Sequence, residues 1–352
     1  MKIAVYTIAL NEKQFVRRWA ESAKEADYLL IADTGSTDGT QATARDIAGV
    51  KVIDISIKPW RFDDARNTAL ACLPDDIDLC IALDMDEQLQ PGWRDHLETL
   101  GMEVTRPRYK YVWSWNPDGT EGLTYGGDKI HARHGYRWKH PVHETITATL
   151  PEHQQWVGLE IHHHPDDTKS RSQYFPLLEL AHKESPNDDR TAFYYARELF
   201  FNGRLEEASA EFQRHLQLPT ATWKPERAAS MRYIAQCGTN PEYWYTMATL
   251  EAPDRREPWV DLARYAYEQQ DWLQVIRCAI KAISIKDKPL EYLCEAHAWG
   301  SLPHDLLSIA YHAVGRTAEA IIQAEQALGL EPDNERIKNN YQMMLAIIQP
   351  DA

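Results

Sequence analysis

Asp84-Met85-Asp86 follows an apolar run at residues 78–83 and sets two carboxylates two positions apart. In an extended segment, side chains at i and i+2 share a side. The spacing therefore predicts a pair of hard oxygen ligands suited to Mg²⁺ or Mn²⁺, with phosphate oxygens completing the shell. A metal held there stabilises a departing diphosphate as a Lewis acid. Taken alone, the triplet fits the capping of a following helix as well. Three further groups of chemically capable residues are Asn11-Glu12, the run Asp33-Thr34-Gly35-Ser36-Thr37-Asp38-Gly39-Thr40, and Ile161-His162-His163-His164-Pro165. Alternation turns His162 and His164 to one face of a strand and His163 to the other. These histidines read equally as exposed hinge residues, and a zinc site lacks a neighbouring cysteine.

The elements that must position these groups follow from periodicity. Strand-like runs at 3–10, 28–32, 50–57 and 78–83 alternate with helix-like segments at 12–26, 39–48 and 62–73, with Ser36, Thr37 and Asp38 as candidate caps for the second helix. That order predicts βαβ units and a mostly parallel central sheet. Ligands of open α/β sheets bind outside the carboxyl ends of the strands, so the clusters at Asn11, Asp33 and Asp84 are expected to converge on one crevice. Residues 108–164 change to aromatic-rich strands with turn signals such as Asn116-Pro117-Asp118-Gly119, which predicts an antiparallel extension of the same domain.

After Pro165 the texture is helical, and segments 192–218, 258–285 and 303–332 repeat. Asn202-Gly203-Arg204-Leu205-Glu206-Glu207-Ala208 in the first is matched by Val314-Gly315-Arg316-Thr317-Ala318-Glu319-Ala320 in the last. Small residues at helix crossings and a Gly at the turn are what a hairpin repeat of ~34 residues requires. The segments resemble tetratricopeptide repeats. Four hairpins are expected, with 223–251 a degenerate member. The chain thus divides into an α/β domain at 1–165 and an all-α repeat domain at 166–352.

The composition is globular: 43% hydrophobic and 26% charged among 352 residues, with no apolar run near the ~20 residues that span a bilayer. The start, Met1-Lys2-Ile3-Ala4-Val5-Tyr6, enters a strand at once, so a cytoplasmic protein is expected. Cys72, Cys80, Cys237, Cys278 and Cys294 form no CxxC pair and are expected to be reduced core residues. The net charge of -15 argues against a partner bound as a polyanion, yet residues 106–139 carry seven Lys/Arg against three Asp/Glu. An anionic ligand is a candidate there, and a nucleic-acid acceptor ranks below other acceptors.

The Asn11, Asp33 and Asp84 clusters, in that order and spacing, resemble the inverting family 2 glycosyltransferases, as does Trp60-Arg61-Phe62-Asp63-Asp64-Ala65-Arg66-Asn67-Thr68-Ala69-Leu70. The resemblance is clear over about residues 1–100 and less specific to about 165. The repeat tail resembles a subset of those enzymes. What the resemblance implies is a GT-A type domain that takes a nucleotide sugar, commonly a UDP-sugar, together with Mn²⁺ or Mg²⁺. Asn11 and Glu12 would belong to the nucleotide site. Asp33 would accept a hydrogen bond from the base; its alternative is an Asx-turn carboxylate. Asp38 fits helix capping as readily. Arg66 would lie near the nucleotide or its phosphates, or pair with Asp63 or Asp64. Asp84 would contact ribose or metal, Asp86 would bind the metal, and a late histidine, His162 or His164, would complete the shell.

For the general base the resemblance points to Glu144 in His140-Pro141-Val142-His143-Glu144, with Asp128 in Gly126-Gly127-Asp128 as second candidate. An ion pair of Glu144 with Arg137 or Lys139 is the alternative. Trp113, Trp115, Tyr125, Tyr136 and Trp138 offer a surface on which a sugar stacks, or are strand-core residues. Acceptors in view are a glycan, a peptide or protein, and, below these, nucleic acid; the repeats would bind peptide or make a homodimer. Nucleotidyl transfer lacks its Gly-rich, Lys/Arg-bearing phosphate loop. A competing reading is an inactive nucleotide-binding domain that serves a repeat-based interaction scaffold.

Overall fold

The structure is a computed structural model that describes residues 1–166 and 174–348. It forms two compact units, Met1–Glu184 and Ser185–Ala352. The boundary expected after residue 165 abuts residues 167–173, which lie outside the described ones.

Unit one runs β1 (Ile3–Ala9), α1 (Lys13–Ser22), β2 (Tyr28–Asp33), α2 (Thr40–Arg45), β3 (Val50–Asp54), α3 (Phe62–Ala71), β4 (Leu79–Ala82), β5 (Glu87–Leu89), α4 (Trp93–Glu98), β6 (Arg106–Val112), β7 (Thr124–Gly127), β8 (Ile130–Ala132), β9 (Tyr136–Lys139), β10 (Thr145–Ala148), β11 (Gln154–His163) and α5 (Tyr174–Glu184). The central sheet has the order β3-β2-β1-β4-β8, the first four parallel and β8 antiparallel to β4. β1 is apolar almost throughout because both its faces are covered. Ile3 and Val5 pack with Val16 and Trp19 of α1, whereas Ala4 and Tyr6 pack with Ala69 and Leu70 of α3. β3 stops at Asp54, short of the expected 57, because its partner β2 ends at Asp33, which pairs with Asp54.

The expected antiparallel extension is instead mixed. In the second sheet, β5-β11-β6-β7, β11 pairs with β6 in parallel, while β5 and β7 are antiparallel to their neighbours. Alternation along a strand carries no information about partner direction, so sequence could not distinguish the two. β9 and β10 form a separate antiparallel pair.

Unit two is all helical: α6 (Asp189–Phe201), α7 (Leu205–Gln217), α8 (Lys224–Gln236), α9 (Pro241–Glu251), α10 (Arg256–Glu268), α11 (Trp272–Ser284), α12 (Ala296–Trp299), α13 (Leu302–Ala313), α14 (Thr317–Leu330) and α15 (Glu335–Ile348). The pairs α6/α7, α8/α9, α10/α11 and α13/α14 are antiparallel hairpins that stack in series, with α15 packed on the last. Gly203, Gly238 and Gly315 take the left-handed conformation at three of the hairpin turns, and Gln270 takes it at the other. No helix among the described residues is long and apolar enough to cross a membrane.

Candidate active site

Asp33 ends β2 fully buried. Its Oδ1 accepts hydrogen bonds from the backbone N–H groups of Gly35 (2.9 Å) and Ser36 (2.8 Å) and from Gln41 Nε2 (2.7 Å). The Asx-turn is therefore real. Burial works to raise the Asp33 pKa, but the bonds from Ser36 and Gln41 outweigh it and hold the carboxyl below its ordinary range. Oδ2 is buried and has no hydrogen-bond partner among the described residues. An ionised oxygen in that position is an acceptor waiting for a donor.

The loop after β1 braces this turn. Asn11 adopts φ 57°, donates its N–H to Ser36 Oγ (2.8 Å), and accepts the Thr37 N–H on Oδ1 (2.8 Å). Glu12 donates its N–H to Thr40 Oγ1 (2.7 Å). Asp38 accepts from the N–H groups of Lys13 (3.0 Å) and Thr40 (2.9 Å), the first residues of α1 and α2, while the N-cap position of α2 is Gly39 rather than the expected Ser36, Thr37 or Asp38. Asn11, Lys13, Arg17, Thr37, Asp38 and Asp166 are among the residues that line a cleft of about 790 Å³ beside these loops.

The Asp84-Met85-Asp86 triplet is a turn, not the extended segment expected. The Glu87 N–H donates to Asp84 O (2.9 Å), the Asp84 N–H donates to Glu87 Oε2 (2.8 Å), and Met85 is buried in the core. Core burial of Met85 bends the chain, so the two carboxylates meet different partners. Asp84 Oδ1 accepts from Arg66 Nη2 (2.7 Å) and Oδ2 from Lys129 Nζ (2.6 Å). Burial pushes the Asp84 pKa up, but the two cations outweigh it and hold it well below the carboxylate range. Lys129 also reaches Glu87 Oε1 (2.8 Å), and Tyr111 donates to the same oxygen (2.6 Å). Burial pushes the Glu87 pKa up.

Arg66 Nε donates to Glu144 Oε1 (2.5 Å), so one guanidinium joins Asp84 and Glu144. It stands on α3 over the Trp138 ring at 4.9 Å. Its neighbour Asn67 exchanges hydrogen bonds with the Trp138 backbone at 2.9 Å in both directions, which holds α3 to β9. Arg66 and Glu144 are ion-paired, as their alternative readings had it, but with other partners than those raised. Asp63 pairs with Arg61 rather than Arg66, and the cation on Glu144 is neither Arg137 nor Lys139. Asp128 is not brought to this cluster: its nearest cation is Arg106 (3.8 Å), and its side chain is 44% exposed. Lys129 carries no motif and was missed by sequence reading.

Of the three late histidines, the one that faces Asp86 is His163, not His162 or His164. Its Nε2 lies 3.3 Å from Asp86 Oδ2, and its ring stacks on Trp113 with centroids 4.3 Å apart. Nδ1 is 2.8 Å from Trp113 O, so Nδ1 carries the proton that this carbonyl accepts. Nε2 then meets the carboxylate either as a second N–H or as a lone pair with a cation between them. Burial lowers the His163 pKa, but the contact with Asp86 more than offsets it, and the net shift is upward. His162 turns to Glu160 Oε2 (3.1 Å), and His164 stacks on Trp115. Alternation did place His162 and His164 together; it could not say which face the turn at Asp86 would meet. Among the described residues no group of three or more His, Cys, Asp or Glu side chains is gathered for a metal. One carboxylate and one imidazole suit a cation that takes its remaining ligands from water and phosphate.

The expected aromatic surface is divided. Trp113 and Tyr125 cluster with Tyr111 and His163, and Trp115 stacks on His164. Trp138 is core: its Nε1 donates to Tyr6 Oη (2.8 Å), which donates to His131 Nε2 (3.0 Å), while His131 Nδ1 meets Ala132 O (2.8 Å). Burial pushes the His131 pKa from 6.5 down to about 4. A histidine kept neutral in this way contributes stability above its unfolded pKa and loses it as pH falls towards the folded one. The chain is expected to lose roughly 3 kcal/mol between pH 7 and pH 4 from this residue. Urea melts across that range check it, with His131→Gln expected to show a flatter slope.

The basic stretch at 106–139 is ion-paired in part. Arg106 meets Glu152 and Asp128, Lys110 meets Glu121 and Glu160, and Lys129 meets Asp84 and Glu87. Arg108 and Arg133 spend their donors on backbone carbonyls. Arg137 and Lys139, in contrast, are exposed and enter no ion pair among the described residues. Cys80, Cys278 and Cys294 are buried as expected, but Cys72 is exposed.

A mostly parallel sheet with acidic turns at the ends of β2 and β4 makes the N-terminal unit an open α/β domain. The family described as "Glycosyl transferase family 2" matches residues 4–139, and the N-terminal unit carries a domain of that family. A glycosyltransferase of lipopolysaccharide core biosynthesis, LpsC of Rhizobium meliloti (strain 1021), is 28% identical over 128 residues, which are 34% of this chain and 47% of the relative. The chain thus spans about half the length of that relative. Among solved structures, similarity extends to yeast Tom70 (TM-score 0.38, 18% identity, 53% of this chain and 38% of that one). It extends also to YrrB, a TPR protein described as having an unusual peptide-binding site (TM-score 0.40, 12% identity, 49% and 84%).

Proposed function

We propose that the protein is a metal-dependent inverting glycosyltransferase that moves a sugar from a nucleoside diphosphate donor to a hydroxyl acceptor. The observation that carries this reading is the buried, unpartnered Oδ2 of Asp33 at the end of β2, with the Asp84-Met85-Asp86 turn after β4 on the other side of β1. An acceptor-only oxygen suits a base with a ring N–H, such as uracil, thymine or guanine, better than cytosine or adenine, which offer only an exocyclic amino group at that edge. A UDP-sugar is among the donors this chemistry favours. Asp86 and His163 would hold Mn²⁺ or Mg²⁺, which neutralises charge on the departing diphosphate.

Glu144 is the base in this reading, and Asp128 is set aside. Arg66 ties Glu144 to the Asp84 turn through Oε1, leaving Oε2 without a hydrogen bond among the described residues. Oε2 takes the hydroxyl proton as the acceptor oxygen bonds to the anomeric carbon from the face opposite the leaving group. The carbon–oxygen bond to the diphosphate breaks, and its electron pair leaves with the diphosphate. The LpsC relative, by its name, favours a glycan as acceptor.

The test is release of nucleoside diphosphate from UDP-, GDP-, dTDP- and CDP-sugars with Mn²⁺, Mg²⁺ or chelator. Metal-stimulated turnover of a UDP-sugar is expected, with less for the CDP donor. Asp33→Asn keeps the Oδ1 turn but points an amide donor at the base, and calorimetry should show UDP bound at least about tenfold more weakly, since an unpaired buried polar contact costs ~1–3 kcal/mol. No turnover of any donor, with UDP affinity unchanged in Asp33→Asn, leaves the scaffold reading in its place.

A further inference from the structure

Successive hairpins of unit two are joined by short connections, residues 218–223 between α7 and α8 and residues 252–255 between α9 and α10. Between α11 and α13 the connection is longer, residues 285–301, and includes α12. Residues 286–288 and 290 are exposed, and from Glu291 onward the segment folds back onto the helices. It lies across the first helices of three successive hairpins, which neighbour one another as α6, α8 and α10.

Its anchors are specific. Glu291 takes two hydrogen bonds from Arg255 (3.1 and 2.8 Å), and Glu295 takes two from Arg232 of α8 (2.9 Å each). Tyr292 donates to Glu226 of α8 (2.5 Å) and stacks on Tyr194 of α6 with ring centroids 6.2 Å apart. His297 meets Asp261 of α10 (2.9 Å), and Trp299 donates to Glu257 (2.8 Å) beneath Arg256. The segment makes a turn at 292–293 and ends in α12, and it presents carboxylate forks and an aromatic ring to the helices beneath, contacts of the kind that hold a bound peptide.

The floor beneath is charged under residues 291–297, while Ala298 of α12 packs with Val260 and Ala282 in a small apolar cluster. Glu226, Arg232, Glu257 and Asp261 are all buried there. A permanent core at this position would be more stable if apolar, because desolvating ion pairs offsets most of their attraction. Charges suited to water, closed over by a segment that complements them, are the chemistry of a ligand-facing groove. We infer that the row of first helices α6, α8 and α10 is a binding groove for an acidic, aromatic peptide segment, filled in cis by residues 289–299. The groove therefore recognises carboxylates through Arg232 and Arg255 and an aromatic side chain between Tyr194 and Trp223, whose ring lies 5.5 Å from Tyr292.

The test uses the full chain with residues 286–300 replaced by Gly-Ser-Gly-Ser, a length like that of the other connections, and a fluorescein-labelled peptide of residues 286–300. The shortened protein is expected to keep its helical circular dichroism and cooperative melt and to bind the peptide saturably, whereas the intact protein does not. Adding Arg232→Glu to the shortened chain should weaken binding at least tenfold. The inference is overturned if the shortened chain loses its cooperative melt, since the segment is then core. It is also overturned if a folded shortened chain leaves the peptide unbound, or if the intact chain binds it equally well. No readout depends on sugar transfer, so the result is independent of the function proposed above.

Discussion

Asp86→Ala is expected to lower kcat/KM for nucleotide-sugar turnover about a thousandfold and to remove the metal dependence of UDP binding. Asp84 cannot substitute for it, because both its oxygens are held by Arg66 and Lys129. The carboxylate left to meet a cation at this turn is that of Asp86, which is part-exposed beside His163 Nε2. Loss of a Lewis acid worth several kcal/mol in the transition state corresponds to this factor. The fold should be spared, since only the exposed arm of the turn changes. Calorimetry of UDP with and without Mn²⁺, next to steady-state rates, separates binding from chemistry. A variant within tenfold of wild type, with metal-dependent UDP binding intact, would place the cation elsewhere.

The largest stability effect is expected at Arg66. Arg66→Ala leaves Asp84 and Glu144 without the guanidinium they share, at a site where Arg66 itself is buried. Removing one member of a buried ion pair costs about 3–5 kcal/mol because the remaining charge stays desolvated. Lys129 still neutralises part of Asp84, so the lower end of that range is expected in urea melts at pH 7. Arg66→Lys should recover less than half, since one ammonium cannot donate along the Nε and Nη2 directions at once. Sign follows from linkage. The folded Asp84 pKa is depressed, so its contribution is present above the unfolded carboxyl pKa and is lost as pH falls through the acid range. The gap between wild type and Arg66→Ala should therefore narrow below about pH 4. A gap that stays constant to pH 2 would falsify the account.

The α/β order of unit one and the hairpin order of unit two were legible because each rests on local periodicity. β1 through β4 alternate with helices whose apolar faces repeat at helical spacing, and Gly203 and Gly315 mark turns that need a left-handed residue. Asp33 and Asp38 were legible as polar residues between a strand end and a helix start, and Arg66 through the resemblance of the stretch 60–70. Their partners were not. Arg66 was weighed against Asp63 and Asp64 nearby in sequence, whereas its carboxylates are 18 and 78 residues away.

By itself, then, the sequence determined the alternation of β1 to β4 with three helices, the hairpin order of the repeats, and that polar clusters end three of those strands. Local propensity and apolar spacing are properties of short windows, and short windows suffice for those decisions. Only the tertiary structure decided that Asp84 is closed by Arg66 and Lys129, that His163 rather than its neighbours meets Asp86, and that residues 289–299 lie over α6, α8 and α10. The physical reason is the same in each case. A charge buried by packing must find its counter-charge in three dimensions, and the chain distance to that partner leaves no trace in any local pattern.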